Sequence, residues 1–216
     1  MNVLHLSDLH YGTATWEEVD RCMANILPMS AQADLVVVTG DATDHVMHAH
    51  NPAVRRLFER AAQLAENCPV VFLQGTFDHE PVGFLALATL MRTRHPVLVL
   101  DAYSQAILID GQFVVSDGLA FDETDPRLAL ATALISAAPT TNKAELAARA
   151  GTDSVGQAYG AEVTAILSRF GPSNRVANRL GIPTLLLGHG TVSGARTEHG
   201  MPLASFDNEF SLAGLL

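Results

Sequence analysis

Leu35-Val36-Val37-Val38-Thr39-Gly40-Asp41 is the stretch on which the fold turns. Five apolar or β-branched residues in an unbroken run, with no polar alternation, mark a strand buried on both faces, as in covered parallel sheets. The run ends on a tight glycine followed by a carboxylate. Working outward, residues 3–7 form another short apolar strand, followed by Asp8 and His10. Residues 15–30 carry Trp16, Val19, Met23, Ile26 and Leu27 at helical spacing, and Thr15 with Glu18 fits a capping box. Residues 52–66 open with Pro and place Val54, Leu57, Phe58, Ala61 and Leu64 on one side, again a helix. Residues 70–74 repeat the buried-strand pattern and lead into Gly75 and then Asp78-His79-Glu80. Strands alternating with helices predict βαβ units and a mostly parallel sheet.

Beyond this the pattern changes. Short strands are expected at 97–100, 106–109 and 113–116, the last two joined by Asp110-Gly111, a hairpin signal. A hairpin there implies a second sheet, or a mixed edge, against the first. Residues 126–180 are Ala-rich and read as mainly helical, with breaks near Pro139, at 151–160 and at Gly171-Pro172. Residues 184–187 return to a buried strand ending in Gly188-His189-Gly190. No internal repeat, low-complexity tract or linker divides the chain, so residues 1–216 are read as a single α/β domain.

Composition sets bounds on function. The 216 residues are 48% hydrophobic and 17% charged, enough apolar material for a sizeable core. The longest apolar runs fall far short of the ~20 residues a membrane-spanning helix needs. Thirteen Lys and Arg against 23 Asp and Glu give a net charge of −10, the opposite of a broad basic nucleic-acid surface. A phosphate-bearing substrate would then be drawn in by bound cations instead. The chain has two cysteines, Cys22 and Cys68, read as buried, inert thiols; with no export signal at the N-terminus, a cytoplasmic setting is expected.

The chemistry gathers at strand ends. In a parallel sheet the carboxyl ends share one edge, where open α/β folds bind ligands. Asp8, His10, Asp41, Asp78, His79 and His189 follow four such strands. Oxygen and imidazole donors without cysteine suit Mn, Fe or Zn. A carboxylate such as Asp41 can give one oxygen to each of two ions ~3.5–4 Å apart, an arrangement that stabilises in-line displacement at phosphorus. Asp8, Asp41 and Asp78 would set three negative charges against the four positive charges of two divalent ions, leaving the site attractive to phosphate.

The ordered set Asp8-x-His10, Gly40-Asp41, Gly75…Asp78-His79-Glu80 and Gly188-His189 resembles the calcineurin-like metallophosphoesterases. Within that family, Ser7-Asp8-Leu9-His10 and the stretch from Gly188 to Gly194 are similar to SbcD-type DNA-repair exonucleases. The resemblance implies an α/β/β/α sandwich of two facing mixed sheets flanked by helices. It implies two divalent ions, Mn most of all, with Fe or Zn as substitutes. Asp8 and His10 would hold the first ion, Asp41 would bridge, Asp78 and His189 would hold the second, and His79 would be catalytic. Two departures stand out. The third motif is two residues longer than GNHD/E, so that either Asp78 or Thr76 occupies the Asn position; the better ligand is the carboxylate. The family's closing GHxH motif is missing, and residues 206–216 read as the helix that precedes it, as though the chain ended early.

The remaining polar residues have quieter expectations. Asp44 is a solvated loop acid or a partner of a ligand, and His45, His48 and His50 form a surface cluster. His199 is read as a loop residue rather than a replacement for a missing ligand, Glu80 orients His79, and Trp16, Phe58 and Phe84 pack in the core. The function implied is metal-dependent hydrolysis of a phosphodiester, with DNA as substrate and an SbcC-like ATPase as partner. The alternatives are a small-molecule phosphatase, a cyclic-nucleotide phosphodiesterase, or a metal-poor assembly module.

Overall fold

The computed structural model of the chain describes residues 1–76, 79–81, 83–140, 155–192, 194–196, 199–201 and 209–210, the side chains at 155–161 and 209 excepted. Strands β1 (Val3–Leu6), β2 (Leu35–Thr39), β3 (Val70–Leu73) and β4 (Val97–Leu100) form one four-stranded sheet in that spatial order. All its pairings are parallel, with Leu6 beside Val38 and Thr39 beside Leu73. A second sheet runs β6 (Gln112–Val115), β5 (Ser104–Ile109), β7 (Ala133–Ala138), β8 (Thr184–Gly188) and is mixed, β7 and β8 being its parallel pair. Of the two facing sheets expected to be mixed, the first is therefore purely parallel among the described residues. A short pair, β9 (Thr191–Val192) with β10 (Glu209–Phe210), follows.

The uninterrupted apolar runs explain the layering. All five residues of β2 are buried. Its even-numbered side chains, Val36 and Val38, join Val70, Phe72, Leu57 and Leu64 under helices α1 (Trp16–Ile26) and α2 (Pro52–Ala65). Its odd-numbered ones, Leu35 and Val37, pack with Val71 and Leu73 against Ile135, Ala137 and Leu187 of the second sheet. The far side of that sheet, at Ile107 and Leu134, meets Ala177 of helix α3 (Val155–Arg179). The order helix, sheet, sheet, helix is thus written by the period-two alternation of strands buried on both faces.

Helix α2 begins as its sequence predicts, Pro52 in the first turn and the Asn51 side chain accepting from Ala53 N at 2.9 Å. The Thr15–Glu18 capping box does not form. The Thr15 hydroxyl donates to the His10 carbonyl at 3.2 Å instead, tying the helix entrance to the preceding loop. The Asp110-Gly111 hairpin is present, both residues at positive φ (49° and 76°). The helical reading of 126–180 needs correction: Ala133–Ala138 is a strand with all six residues buried, paired on both sides. Its small side chains let two layers close over it, and tertiary pairing outweighs alanine's helix preference. Nor does Gly171-Pro172 break the helix, for α3 runs through it. Phe170 and Ser173 are buried there, and Ser173 Oγ bonds Gln105 Oε1 at 2.7 Å, contacts that hold the turn despite the N–H that proline lacks. Residues 209–210 are strand where a helix is expected, and the rest of 206–216 lies outside the described residues.

Trp16, Phe58 and Phe84 all pack against the core below α1 and α2, the last two with ring centroids 6.0 Å apart. Cys68 is buried, but Cys22 is exposed, correcting the expectation for that thiol: it falls on the solvent side of α1. Asp20 on α1 and Arg60 on α2 make a buried bidentate pair (2.6 and 2.9 Å) joined by Arg56. The Arg60 guanidinium holds the Asp20 carboxyl down to about 2. No described helix is long and apolar enough to cross a membrane.

Candidate metal centre

The carboxyl ends of β1, β2 and β3 and the end of β8 converge, and backbone hydrogen bonds knit their loops together. Asp8 N donates to Gly40 O (3.2 Å), His10 N to Asp41 O (3.0 Å) and Gly40 N to Leu73 O (3.1 Å). Thr140, just past β7, bonds across to the first sheet through Gln74 O at 3.3 Å, so both sheets contribute to this rim.

Three L-residues here sit in the left-handed region: Asp8 (φ 52°), His10 (φ 50°) and Asp41 (φ 47°). Such conformations cost of order 1–3 kcal/mol each and cluster at functional sites. Two glycines are needed for close approach. A Cβ on Gly40, itself at φ 83°, would strike the His189 ring, and one on Gly75 would strike Asp41 N and Oδ1.

Asp41 is the hub. It is 6% exposed, and its Oδ1 accepts from Thr76 N at 2.7 Å and lies 3.3 Å from His189 Nε2. Its Oδ2 lies 3.1 Å from His79 Nδ1 and 3.4 Å from Thr76 Oγ1. Burial alone would raise its carboxyl. The hydrogen bonds from His189 and Thr76 N, with the histidine charges, win and hold it well below the ordinary carboxylate range. His189 responds in kind: burial would lower it, but the Asp41 carboxylate raises it to about 9. Its Nδ1 faces Thr39 O at 3.0 Å, which leaves Nε2 directed at Asp41.

Among the described residues the donor atoms fall into two overlapping trios, Asp8–Asp41–His189 and His10–Asp41–His79, each within 4.8 Å throughout. Asp41 belongs to both. Asp8 and His10, one motif in sequence, are divided between them, although His10 Nε2 is 3.9 Å from Asp8 Oδ1. His10 Nδ1 and His79 Nδ1 are buried without a hydrogen-bond partner. Orphaned imidazole nitrogens beside a shared carboxylate fit a divalent cation.

Asp78 lies outside the described residues, and Thr76, the other candidate, positions Asp41 through its N–H. Asp44 borders the site, 3.9 Å from His10 Nδ1 and 3.2 Å from His45 Nδ1. His48 and His50 stack at 5.5 Å, and among the described residues neither they, His45 nor His199 joins a donor trio.

Glu80 corrects another expectation. Rather than orienting His79, its fully buried carboxylate clamps backbone: Oε2 accepts from Gly75 N at 2.8 Å, and Oε1 accepts from Ala42 N and, at 3.3 Å, from Thr43 N. Burial pushes this carboxyl up, partly countered by those N–H groups. The clamp was hidden in the sequence because its partners are backbone groups, which no residue letter displays.

A comparison with curated proteins gives no match. A family model, described as calcineurin-like phosphoesterase, matches residues 1–194. That span contains β1 to β9 and both donor trios. On that match, and with the rim built as described, the chain belongs to the calcineurin-like phosphoesterase family, whose members are metal-dependent hydrolases of phosphoric esters.

Proposed function

We propose that the chain hydrolyses phosphodiesters, with DNA as its substrate and Mn2+ as its working ion, in the manner of the exonucleases its Ser7–His10 and Gly188–Gly194 stretches resemble. The observation that carries the metal-dependent chemistry is the single carboxylate, Asp41, shared by two donor trios. Asp8, His10, Asp41 and His189 would hold the ions, with Asp78 as a further ligand. Bound divalent ions supply Lewis acidity toward phosphoryl oxygens and acidify water. The chain's own part is to present the donors rigidly: Thr76 N and His189 fix Asp41, Thr39 O fixes the His189 tautomer, and Glu80 locks the two loops. An SbcC-like ATPase would be the partner and the cytoplasm the setting.

One observation favours a smaller diester as the second reading. The net charge is −10 and the rim carries Asp8, Asp41 and Asp44. Incubating the Mn-loaded chain with end-labelled duplex DNA, a cyclic nucleotide, bis-nitrophenyl phosphate and a nitrophenyl monoester separates the two. Degradation of DNA abolished by Asp41→Asn supports the nuclease. Turnover of only the small diesters refutes it, and turnover of a nitrophenyl monoester alone refutes both.

A further inference from the structure

We infer that Ser7 is a positioning residue: its hydroxyl sets the rotamer of the Asp8 carboxylate and, through Thr39, ties that carboxylate to His189. The inference rests on the reading that divalent ions occupy this rim. It concerns how one donor trio is held in shape, not which atoms bind.

Asp8 is the donor most in need of such help. Its backbone is fixed, with φ at 52° and its N–H donating to Gly40 O at 3.2 Å, but its side chain is 55% exposed. A carboxylate in water samples several rotamers, and freezing one of them when an ion binds costs entropy. Ser7 Oγ donates to Asp8 Oδ2, the one side-chain hydrogen bond to this carboxylate among the described residues. With Oδ2 occupied, Oδ1 is the oxygen left toward the rim, 3.9 Å from His10 Nε2. The geometry thus assigns one oxygen to the protein and one to the ion, as in ligating carboxylates that are hydrogen-bonded in turn.

The other neighbour of Ser7 extends the brace. Ser7 Oγ lies 3.0 Å from Thr39 O, the same carbonyl that accepts from His189 Nδ1 at 3.0 Å. Asp8 and His189, two of the three donors of one trio, are therefore braced on a single backbone carbonyl. That carbonyl is itself held: Thr39 is buried at the end of β2, and its hydroxyl is 2.7 Å from His5 Nε2. Ser7 has one proton for two acceptors, and the charged carboxylate takes the stronger share. Among the described residues Ser7 bonds neither His10 nor His79, so its effect should fall on one ion more than on the other.

The test uses the full chain, stripped with chelator and titrated with Mn2+, bound ion being counted by loss of the free-ion signal in electron paramagnetic resonance. Ser7→Ala should weaken one binding step by about 10–100-fold, the effect of removing a partner of a metal ligand. Ser7→Thr, which keeps the hydroxyl, should restore wild-type binding. Because the bond to Asp8 is exposed, metal-free Ser7→Ala should melt no more than ~4 °C below wild type, the size of one hydrogen bond. A residue that merely supported the fold would lower that melt further. An Ala variant that binds Mn2+ as tightly as wild type, a Thr variant as weak as Ala, or a metal-free Ala melt lowered beyond that bound overturns the assignment and leaves the metal-dependent reading intact. A wild-type chain that binds no Mn2+ overturns both.

Discussion

Removing the Glu80 carboxylate tests whether the candidate site is built before any ion arrives. In Glu80→Ala, the N–H groups of Gly75, Ala42 and Thr43 lose their acceptor in positions closed to water. A buried donor left unsatisfied costs about 1–3 kcal/mol. Because neighbouring losses are not additive, about 3–5 kcal/mol is expected in total, the upper end of single-substitution effects. For a chain of this length each kcal/mol lowers Tm by roughly 2–4 °C, so the melt should fall by roughly 6–20 °C. Glu80→Gln keeps the volume and one acceptor oxygen but turns an NH2 toward a donor; about half the loss is expected, since one of the two ends stays paired. Differential scanning calorimetry of the chelator-treated protein measures both. Protonation of the raised Glu80 carboxyl adds a pH-linked increment to the clamp, complete below the unfolded value of 4.5 and lost as pH rises through the higher folded one, so the Gln variant should lack that slope. Both variants melting within about 2 °C of wild type would show that the clamp contributes less than ~1 kcal/mol and refute the reasoning.

Metal-free protein should lose stability as pH rises. His189 is raised from 6.5 to about 9, so its contribution is complete below 6.5 and disappears through 9. Asp41 is depressed, so its share is present above 3.8 and lost as the medium is acidified through its folded value. Thermal melts from pH 2 to 10 should show both limbs, and Asp41→Asn should flatten the upper one; an upper limb unchanged in that variant would contradict the pairing. Gly75→Ala should cost about 1–3 kcal/mol and displace Asp41, read as lost metal retention, because its Cβ meets the Asp41 backbone and carboxylate. Full retention would show that the loop yields. Arg60→Ala should cost about 1–3 kcal/mol in urea unfolding by removing the bidentate partner of the buried Asp20, to which Arg56 stays paired, while metal stoichiometry is unchanged.

Much of this architecture was legible in the letters. The apolar runs at 3–6, 35–39, 70–73 and 97–100 carry no competing pattern, and each is a parallel strand. Asp8, His10, Asp41 and His79, which follow three of them, meet because strand ends in a parallel sheet share one edge. Ala133–Ala138 misled because alanine's local preference is helical, whereas its burial between β5 and β8 is set by residues far away in sequence. Pro172 misled in the opposite sense, a local breaker overruled by packing. At the site, ligand types could be read but not their partition: that Asp8 groups with His189 and His10 with His79 depends on three left-handed turns, which sequence periodicity does not register.

Those turns have an evolutionary corollary. Asp8, His10 and Asp41 hold backbone shapes that glycine or asparagine would adopt with less strain, so each is kept against local preference for the sake of its side chain. A descendant released from hydrolysis would gain stability by drifting to glycine or asparagine at these three positions, well before its buried strands changed. Sequences that retain the fold but carry those replacements are where retired members of this lineage should be sought.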